Sequence, residues 1–386
     1  MPARDAVIVD AVRTPIGRRN GSLAGQHAVQ LAAHVLRSLQ ERTGLDPAIV
    51  DDVIWGVVQQ VGMQGINAGR NAVLDAGWPD TVPATTIDRQ CGSSQQAVHF
   101  AAAGILSGQY DVAVAGGVEI MSAVPMTAST SNQDFGFPYP PSLLERYDVD
   151  TFNQGIGAEM MAQKWGLSRE ACDEFAARSH AKLAVATDDG RLQGQLAPVP
   201  LPDGGTLSAD EGLRRGTSVE SLSGLKPVFA EDGVLHAGNS SQISDGSAAL
   251  LLMTSERAAE LGMTPIARFH TGVLAGDDPV MMLSAPIPAT AKVLERSGLT
   301  LDEIGIYEVN EAFATVPMAW LAETGADPER LNPGGGAIAI GHPLGASGAR
   351  LMTQLVHGMK DTGTRYGLQT MCEGGGMANA TILELL

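Results

Sequence analysis

The feature that most constrains the fold is an order of elements that occurs twice. Near the first third, an extended run, Ala84 to Arg89, stops at Gln90-Cys91-Gly92. A helical pattern follows through Ala97, Phe100, Ala101, Gly104 and Ile105, and then a strand, Val112 to Ala115, opened by Tyr110 and closed by Gly116-Gly117. Late in the chain a run Ala337 to Ile340, read as extended, leads into Gly341-His342-Pro343. A small-residue helix from about Ala346 to Met359 follows, and the strand Tyr366 to Met371 runs into Cys372-Glu373-Gly374-Gly375-Gly376. Short apolar runs alternating with helical patterns are the mark of an α/β fold. The recurrence therefore predicts two copies of one α/β unit.

The first copy takes residues 1–120 plus 246–261 and the second 262–386. Residues 121–245 form an inserted loop domain, a lid of different texture: rich in Ser, Pro and Phe up to Pro141, helical around Ala158 to Gly190, and loop-like from Pro198 to Gly216. Strands Ala6 to Ala11 and Asp52 to Val58, with a helix around His27 to Thr43 between them, complete the first copy, and Gly246 to Thr254 returns the chain to it. At 386 residues the length suits such a duplicated protein.

Charge and cysteine usage exclude several classes. Lys plus Arg total 25 against 43 Asp plus Glu, a formal charge of −18, which disfavours general binding to nucleic acid or anionic membranes. A polyanionic ligand must find a local basic patch. The three cysteines, Cys91, Cys172 and Cys372, include no Cys-x-x-Cys pair, so neither a disulfide framework nor a metal site is expected. No signal peptide, membrane span or peroxisomal tripeptide is read, which predicts a cytoplasmic protein.

Four positions carry the chemistry. Cys91 stands where a strand hands over to a helix, and the unpaired amides and dipole there favour a thiolate, predicting a lowered pKa. A buried Cys acting as a small hydrophobe is the alternative, opposed by polar and tiny neighbours. His342 lies among glycines that admit close backbone approach, where an imidazole can take a proton from a thiol near neutral pH. The loop lacks the Gly-Lys-Ser/Thr ending of a phosphate-binding loop, which removes nucleotide hydrolysis. Cys372 precedes three glycines suited to presenting N–H groups to an oxyanion. Asn310, after the strand Ile304 to Val309, offers an amide for a water or carbonyl oxygen, or simply caps a helix. All four fall at strand C-terminal ends, where open α/β sheets assemble their active sites.

Taken together, Cys91-Gly92-Ser93, Asn310-Glu311-Ala312-Phe313, Gly341-His342-Pro343 and Cys372-Glu373-Gly374 resemble, in order and spacing, the four signatures of the thiolases. The resemblance runs from Val7 to the last strand. It implies two α/β halves stacked as a five-layered αβαβα architecture with an inserted loop domain, in homodimers or homotetramers. It also implies that Cys91 receives the acyl group, that His342 activates it, and that Cys372 is the second acid/base. Two oxyanion holes follow, one from His342 with a water held by Asn310, the other from the N–H groups of Cys91 and Gly374. Donors of this kind contribute about 3–4 kcal/mol each. Coenzyme A enters as a substrate, with no tightly bound cofactor. Its binding loop corresponds to Gly212-Leu213-Arg214-Arg215-Gly216, with Arg214 and Ser221 at the nucleotide end and Ser241 on the pantetheine arm; a solvated Arg214/Arg215 surface pair is the alternative.

Two departures bear on the substrate. Ser93-Ser94-Gln95-Gln96 replaces the common Ser-Gly-Leu-Gln, and Asn153-Gln154-Gly155 stands where short-chain biosynthetic enzymes carry His-Met-Gly. The second leaves that substrate contact open, while Cys91-Gly92-Ser93-Ser94-Gln95-Gln96 and Ser241-Gln242-Ile243-Ser244-Asp245-Gly246 resemble a bacterial degradative type that cleaves 3-ketoacyl-CoA, of fatty or steroid origin, rather than one for acetoacetyl-CoA synthesis. A ketoacyl-synthase-like enzyme would need a Cys-His-His set. A non-catalytic lipid or CoA carrier should have lost one of the four residues.

Overall fold

The computed structural model describes residues 4–132, 134 and 136–386. The chain begins with β1 (Val7–Arg13), the short β2 (Gly17–Arg18), α1 (Ala28–Thr43), β3 (Asp52–Gly56), α2 (Ala68–Asp75) and β4 (Ala84–Ile87). It continues through α3 (Ser93–Ser107) and β5 (Val112–Ile120). Between β5 and the next long strand lie α4 (Pro141–Tyr147), α5 (Gln154–Lys164), α6 (Arg169–Asp188), the hairpin β6 (Val199–Pro200) and β7 (Thr206–Leu207), and α7 (Val219–Ser223). Then come β8 (Ser244–Met253), α8 (Ser255–Glu260), β9 (Ala267–Gly276), α9 (Pro286–Ser297), β10 (Ile306–Val309) and α10 (Thr315–Thr324). The chain closes with α11 (Ala337–Ile340), α12 (Leu344–Thr362), β11 (Tyr366–Glu373) and β12 (Met377–Leu385).

The duplication is written in the strand order, which runs β10-β11-β12-β9-β1-β8-β5-β3-β4. Outward from the centre, β1-β8-β5-β3 and β9-β12-β11-β10 repeat the same sequence of pairings: antiparallel, antiparallel, parallel. The first half adds β4 beyond β3, a strand with no counterpart in the second. The halves join where Val7 and Ile8 pair with Arg268 and Ala267. In each half the helix before the inner parallel strand, α3 or α12, turns inward. These two helices pack against each other between the sheet halves, while α1 and α2 cover one outer face and α9 and α10 the other. Five layers result. Three apolar cores fill the spaces: Leu31, Leu36 and Trp55 on one outside, Tyr307 and Trp320 on the other, and Ile8, Ile105, Met352 and Leu383 in the middle.

The middle layer explains the unusual polarity of α3. Gln95 Nε2 donates to Thr381 Oγ1 (2.8 Å), His99 Nε2 meets the same hydroxyl (2.7 Å), and Gln96 Oε1 accepts from Asn379 Nδ2 (3.1 Å). Ser94 Oγ accepts from Ala349 N on α12 (2.8 Å). The departures after the nucleophile thus form hydrogen bonds across the interface between the halves.

Three local expectations are corrected. Ala337–Ile340 is a helical turn, not a strand: no neighbouring strand is in register with it, Ile340 N bonds Gly336 O, and the Glu311 carboxylate accepts from Ile338 N (3.2 Å). Phe100 lies on the exposed face of α3 at 47% accessibility and is no part of the core. Gly116 and Gly117 do not end their strand but lie inside β5. A Cβ on Gly117 would stand 2.2 Å from Gly345 O and 2.8 Å from Gly56 O, so the start of α12 rests directly on this strand. G117A is therefore expected to lower unfolding free energy by about 1–3 kcal/mol, through overpacking against backbone that cannot yield. Urea unfolding measures it.

Candidate active site

Each reactive side chain is set by a short connection. The chain leaves β4, enters a left-handed turn at Gln90 (φ 48°) and starts α3 three residues later. Asp88 stabilises that conformation by accepting from Gln90 N (2.6 Å), and Ser93 Oγ accepts from Arg89 N (2.9 Å) while donating to Gln90 O (2.6 Å). Cys91, at the apex, is half-buried and packs against Val58, Met121 and Leu344. The turn between β11 and β12 brings Cys372, fully buried, to the same place. A Cβ on Gly374 would stand 3.0 Å from Gln90 Oε1, and one on Gly92 would overlap Glu373. The turn that carries Cys91 and the turn that follows Cys372 are thus in van der Waals contact, and a charge on Cys91 is felt at Cys372. Cys172, by contrast, is core filling on α6.

His342 is buried between α11 and α12, its N–H bonded to Ser244 Oγ and Gln242 O, both at 3.1 Å. Its ring is oriented by two contacts. Nδ1 lies 2.6 Å from Ser347 Oγ, and that hydroxyl donates its proton to Pro343 O (2.8 Å). Nδ1 must therefore carry the imidazole proton, leaving the Nε2 lone pair towards Asn310 Nδ2 at 3.4 Å. Asn310 is itself buried, anchored by its N–H to Thr370 O (3.1 Å), and its Oδ1 has no partner among the described residues. S347A is expected to lower kcat about tenfold, because loss of a hydrogen bond worth about 1–1.5 kcal/mol frees the wrong tautomer. Steady-state kinetics checks it.

The protonation state at rest corrects the thiolate expectation. Burial pushes the Cys91 thiol up to about 12. The helix start does not offset this, since Gly92 N and Ser93 N are already bonded to Arg89 O and Gln90 O. Burial and the Arg350 guanidinium push His342 down to about 3, and burial also raises Cys372 well above the ordinary thiol value. The resting site holds two thiols and a neutral imidazole, so deprotonation of a thiol must be coupled to bond formation.

A cavity of about 520 Å³ reaches His342, while Cys91, Cys372 and Asn310 lie outside its lining. Met121 and Leu344 line it and pack against Cys91, Ile243 packs on the same two residues, and His342 reaches the interior directly. Phe229 and Phe313 meet edge to face at 5.6 Å, and Gln154 and Ser241 complete the throat. Asn153 does not face it; its side chain caps α5 by accepting from Gly155 N (2.9 Å). Arg214 lines the cavity, exposed and free of ion pairs among the described residues. Arg215 is bound bidentately by Asp188 at 2.6 and 2.9 Å. Ser221 lies outside the lining, with its hydroxyl closing a capping box with Ser218. Sequence reasoning missed Arg18 and Arg19, which also line the mouth. The available signal was two adjacent arginines in a chain so poor in basic residues. Among the described residues no cluster of three metal-ligating side chains occurs, and no helix is long and apolar enough to cross a membrane.

Comparison with known proteins gives the class this geometry defines. The thiolase N-terminal domain family matches residues 6–256 and the thiolase C-terminal domain family residues 263–385, and the chain belongs to the thiolases. It is 48% identical to a steroid 3-ketoacyl-CoA thiolase of Mycobacterium tuberculosis, over 99% of this chain and 94% of that protein. It is 43% identical to a 3-ketoacyl-CoA thiolase of Pseudoalteromonas translucida, over 98% of each. The crystal structure of the Bacillus anthracis acetyl-CoA acetyltransferase superposes with a TM-score of 0.92 at 37% identity, covering 100% of this chain and 99% of that one.

Proposed function

We propose that this acyltransferase cleaves a 3-ketoacyl-CoA with coenzyme A, giving acetyl-CoA and a shortened acyl-CoA through a thioester on Cys91. The observation that carries the reading is that the turns adjoining Cys91 and Cys372 pack together, while an imidazole whose Nε2 is unprotonated lines an arginine-rimmed cavity walled by Met121 and Leu344, which pack against Cys91. His342 Nε2 takes the Cys91 proton as sulfur bonds to the C3 carbonyl, and the resulting alkoxide is held by the N–H groups of Cys91 and Gly374. The C2–C3 bond then breaks. Its electron pair becomes the acetyl-CoA enolate, whose oxygen is stabilised by protonated His342 and a water on Asn310, and the Cys372 thiol protonates C2. Incoming CoA gives its proton to the Cys372 thiolate, attacks the acyl-Cys91 carbonyl and expels the Cys91 thiolate, which recovers the proton from His342.

Arg214, Arg18 and Arg19 would bind the nucleotide phosphates, and Ser241 the pantetheine arm. Ser221, fixed in its cap, would contribute at most an edge contact. Neutral Gln154 at the cavity wall and the degradative names of the two relatives support acyl groups larger than acetyl, steroid-derived ones included. A homodimer or homotetramer in the cytoplasm remains part of this reading.

The test is CoA-dependent consumption of 3-ketoacyl-CoAs with short, long and polycyclic acyl groups. Release of acetyl-CoA supports the proposal, and the absence of CoA-dependent cleavage with all of them contradicts it. R214A is expected to raise the KM for CoA about tenfold with kcat nearly unchanged, since a phosphate contact remote from the reacting carbons acts as uniform binding. A titration of initial rate against CoA measures this.

A further inference from the structure

One buried acid has no part in these steps. Glu373 directly follows Cys372 on β11, is fully buried, and neither of its carboxyl oxygens receives a hydrogen bond from the described residues. Asn379 Oδ1, on β12, is equally buried and equally without a donor, its Nδ2 being directed to Gln96 Oε1. These two acceptors crowd one point. A Cβ built on Gly92 would lie 1.9 Å from Glu373 Oε1 and 2.5 Å from Asn379 Oδ1. Opposed buried acceptors with no proton between them are costly, at about 1–3 kcal/mol for each unsatisfied group and more for a charge.

Apart from the Asn379 backbone N–H, which approaches the carboxyl and favours its charged form, the groups facing Glu373 supply no donor. Asp88, Arg89 and Cys91 approach from the β4–α3 turn, and Cys372 lies beside it on its own strand. Arg89 is the one cation among them, yet no ion pair joins it to Glu373 among the described residues, and its Nη1 is directed at Met377 Sδ, 3.8 Å away. A proton on the carboxyl resolves the conflict, because its O–H can donate to Asn379 Oδ1.

We propose that Glu373 is held as a neutral carboxylic acid hydrogen-bonded to Asn379, a positioning residue that keeps the surroundings of both cysteines uncharged while they exchange protons. The catalytic consequence rests on the thiolase mechanism above, but the state of Glu373 does not. Burial raises this carboxyl to about 8, against the pull of Arg89 and of the Asn379 backbone N–H, so the acid is lost as pH climbs past that value. Its charge then opposes a thiolate at Cys91 and at Cys372.

The experiment is alkylation of Cys91 by iodoacetamide in the free enzyme, followed by peptide mass spectrometry across pH; it needs no acyl substrate and so stands apart from the substrate reading. In wild type the logarithm of the rate should rise with unit slope up to about pH 7, flatten near pH 8 as Glu373 ionises, and resume above it. In E373Q the line should be straight. The E373Q to wild-type rate ratio should be close to one at about pH 6.5 and at least about threefold at about pH 9.5. A ratio raised equally at both pH values would mean that Glu373 is charged throughout, as it would be if both amides were flipped to turn Asn379 Nδ2 towards it, and would overturn the proposal. A ratio of one at both would overturn it too. Should E373Q fail to fold, the wild-type profile decides alone: a break near pH 8 supports the neutral acid, and an unbroken line refutes it.

Discussion

C91A is expected to lower acyl transfer by at least about 10⁴-fold while CoA binding changes by less than about twofold. The size follows from the chemistry. Without sulfur no thioester forms, and His342, with its lone pair directed into the site, has no thiol to deprotonate. The arginines proposed to bind CoA lie on other elements, Arg18 and Arg19 at β2 and Arg214 before α7, so truncating one half-buried side chain leaves them in place. Single-turnover acyl transfer and calorimetric CoA titration measure the two quantities. Activity near wild type would remove Cys91 as nucleophile.

C372A separates the two half-reactions. Acylation of Cys91 from a simple acyl-CoA should persist within about tenfold, because the CoA thiolate, unlike a carbanion, can leave without a proton from Cys372. Exchange of the acetyl-CoA α-protons with solvent should fall by at least about 10³-fold, the scale of a lost general acid/base. The burial that raises the Cys372 thiol makes it a strong base once deprotonated, the property needed to reach a weakly acidic C–H. Deuterium exchange followed by NMR tests this. Exchange at the wild-type rate would place the second base elsewhere.

How much of this was legible in the sequence depended on the range of the interaction. Cys91, His342, Cys372 and Asn310 could be picked out because each lies at the end of an element beside small residues, and that local signature survives in one dimension. The repeat was legible for the same reason, except that Ala337–Ile340 has the composition of a strand and becomes a helical turn only through the remote carboxylate of Glu311. Residues that hold the site from a distance left no trace. Glu119 accepts from Val58 N, Gln59 N, Gln64 Nε2 and Gly345 N, fastening the loop after β3 to the first turn of α12, yet in sequence it is one acid at the end of an apolar run. Ser347 reads as a small helix residue until its hydroxyl is seen to fix the tautomer of His342. Arg13 and Asp210, a buried bidentate pair at 2.7 and 2.9 Å, lie 197 positions apart. The Cys91 thiol was expected to be acidic from its place at a helix start, and burial beside Glu373 outweighs that local effect.

The most direct measurement is a crystal structure of the enzyme frozen after reaction with an acyl-CoA, with CoA in the cavity. The expected density shows the acyl group on Cys91 Sγ, with Cys372 Sγ and His342 Nε2 each about 3–4 Å from the reacting carbons or the CoA sulfur. Acyl density on any other residue, or a pantetheine thiol ending in a space that Cys372 does not border, would contradict a single site built from both halves.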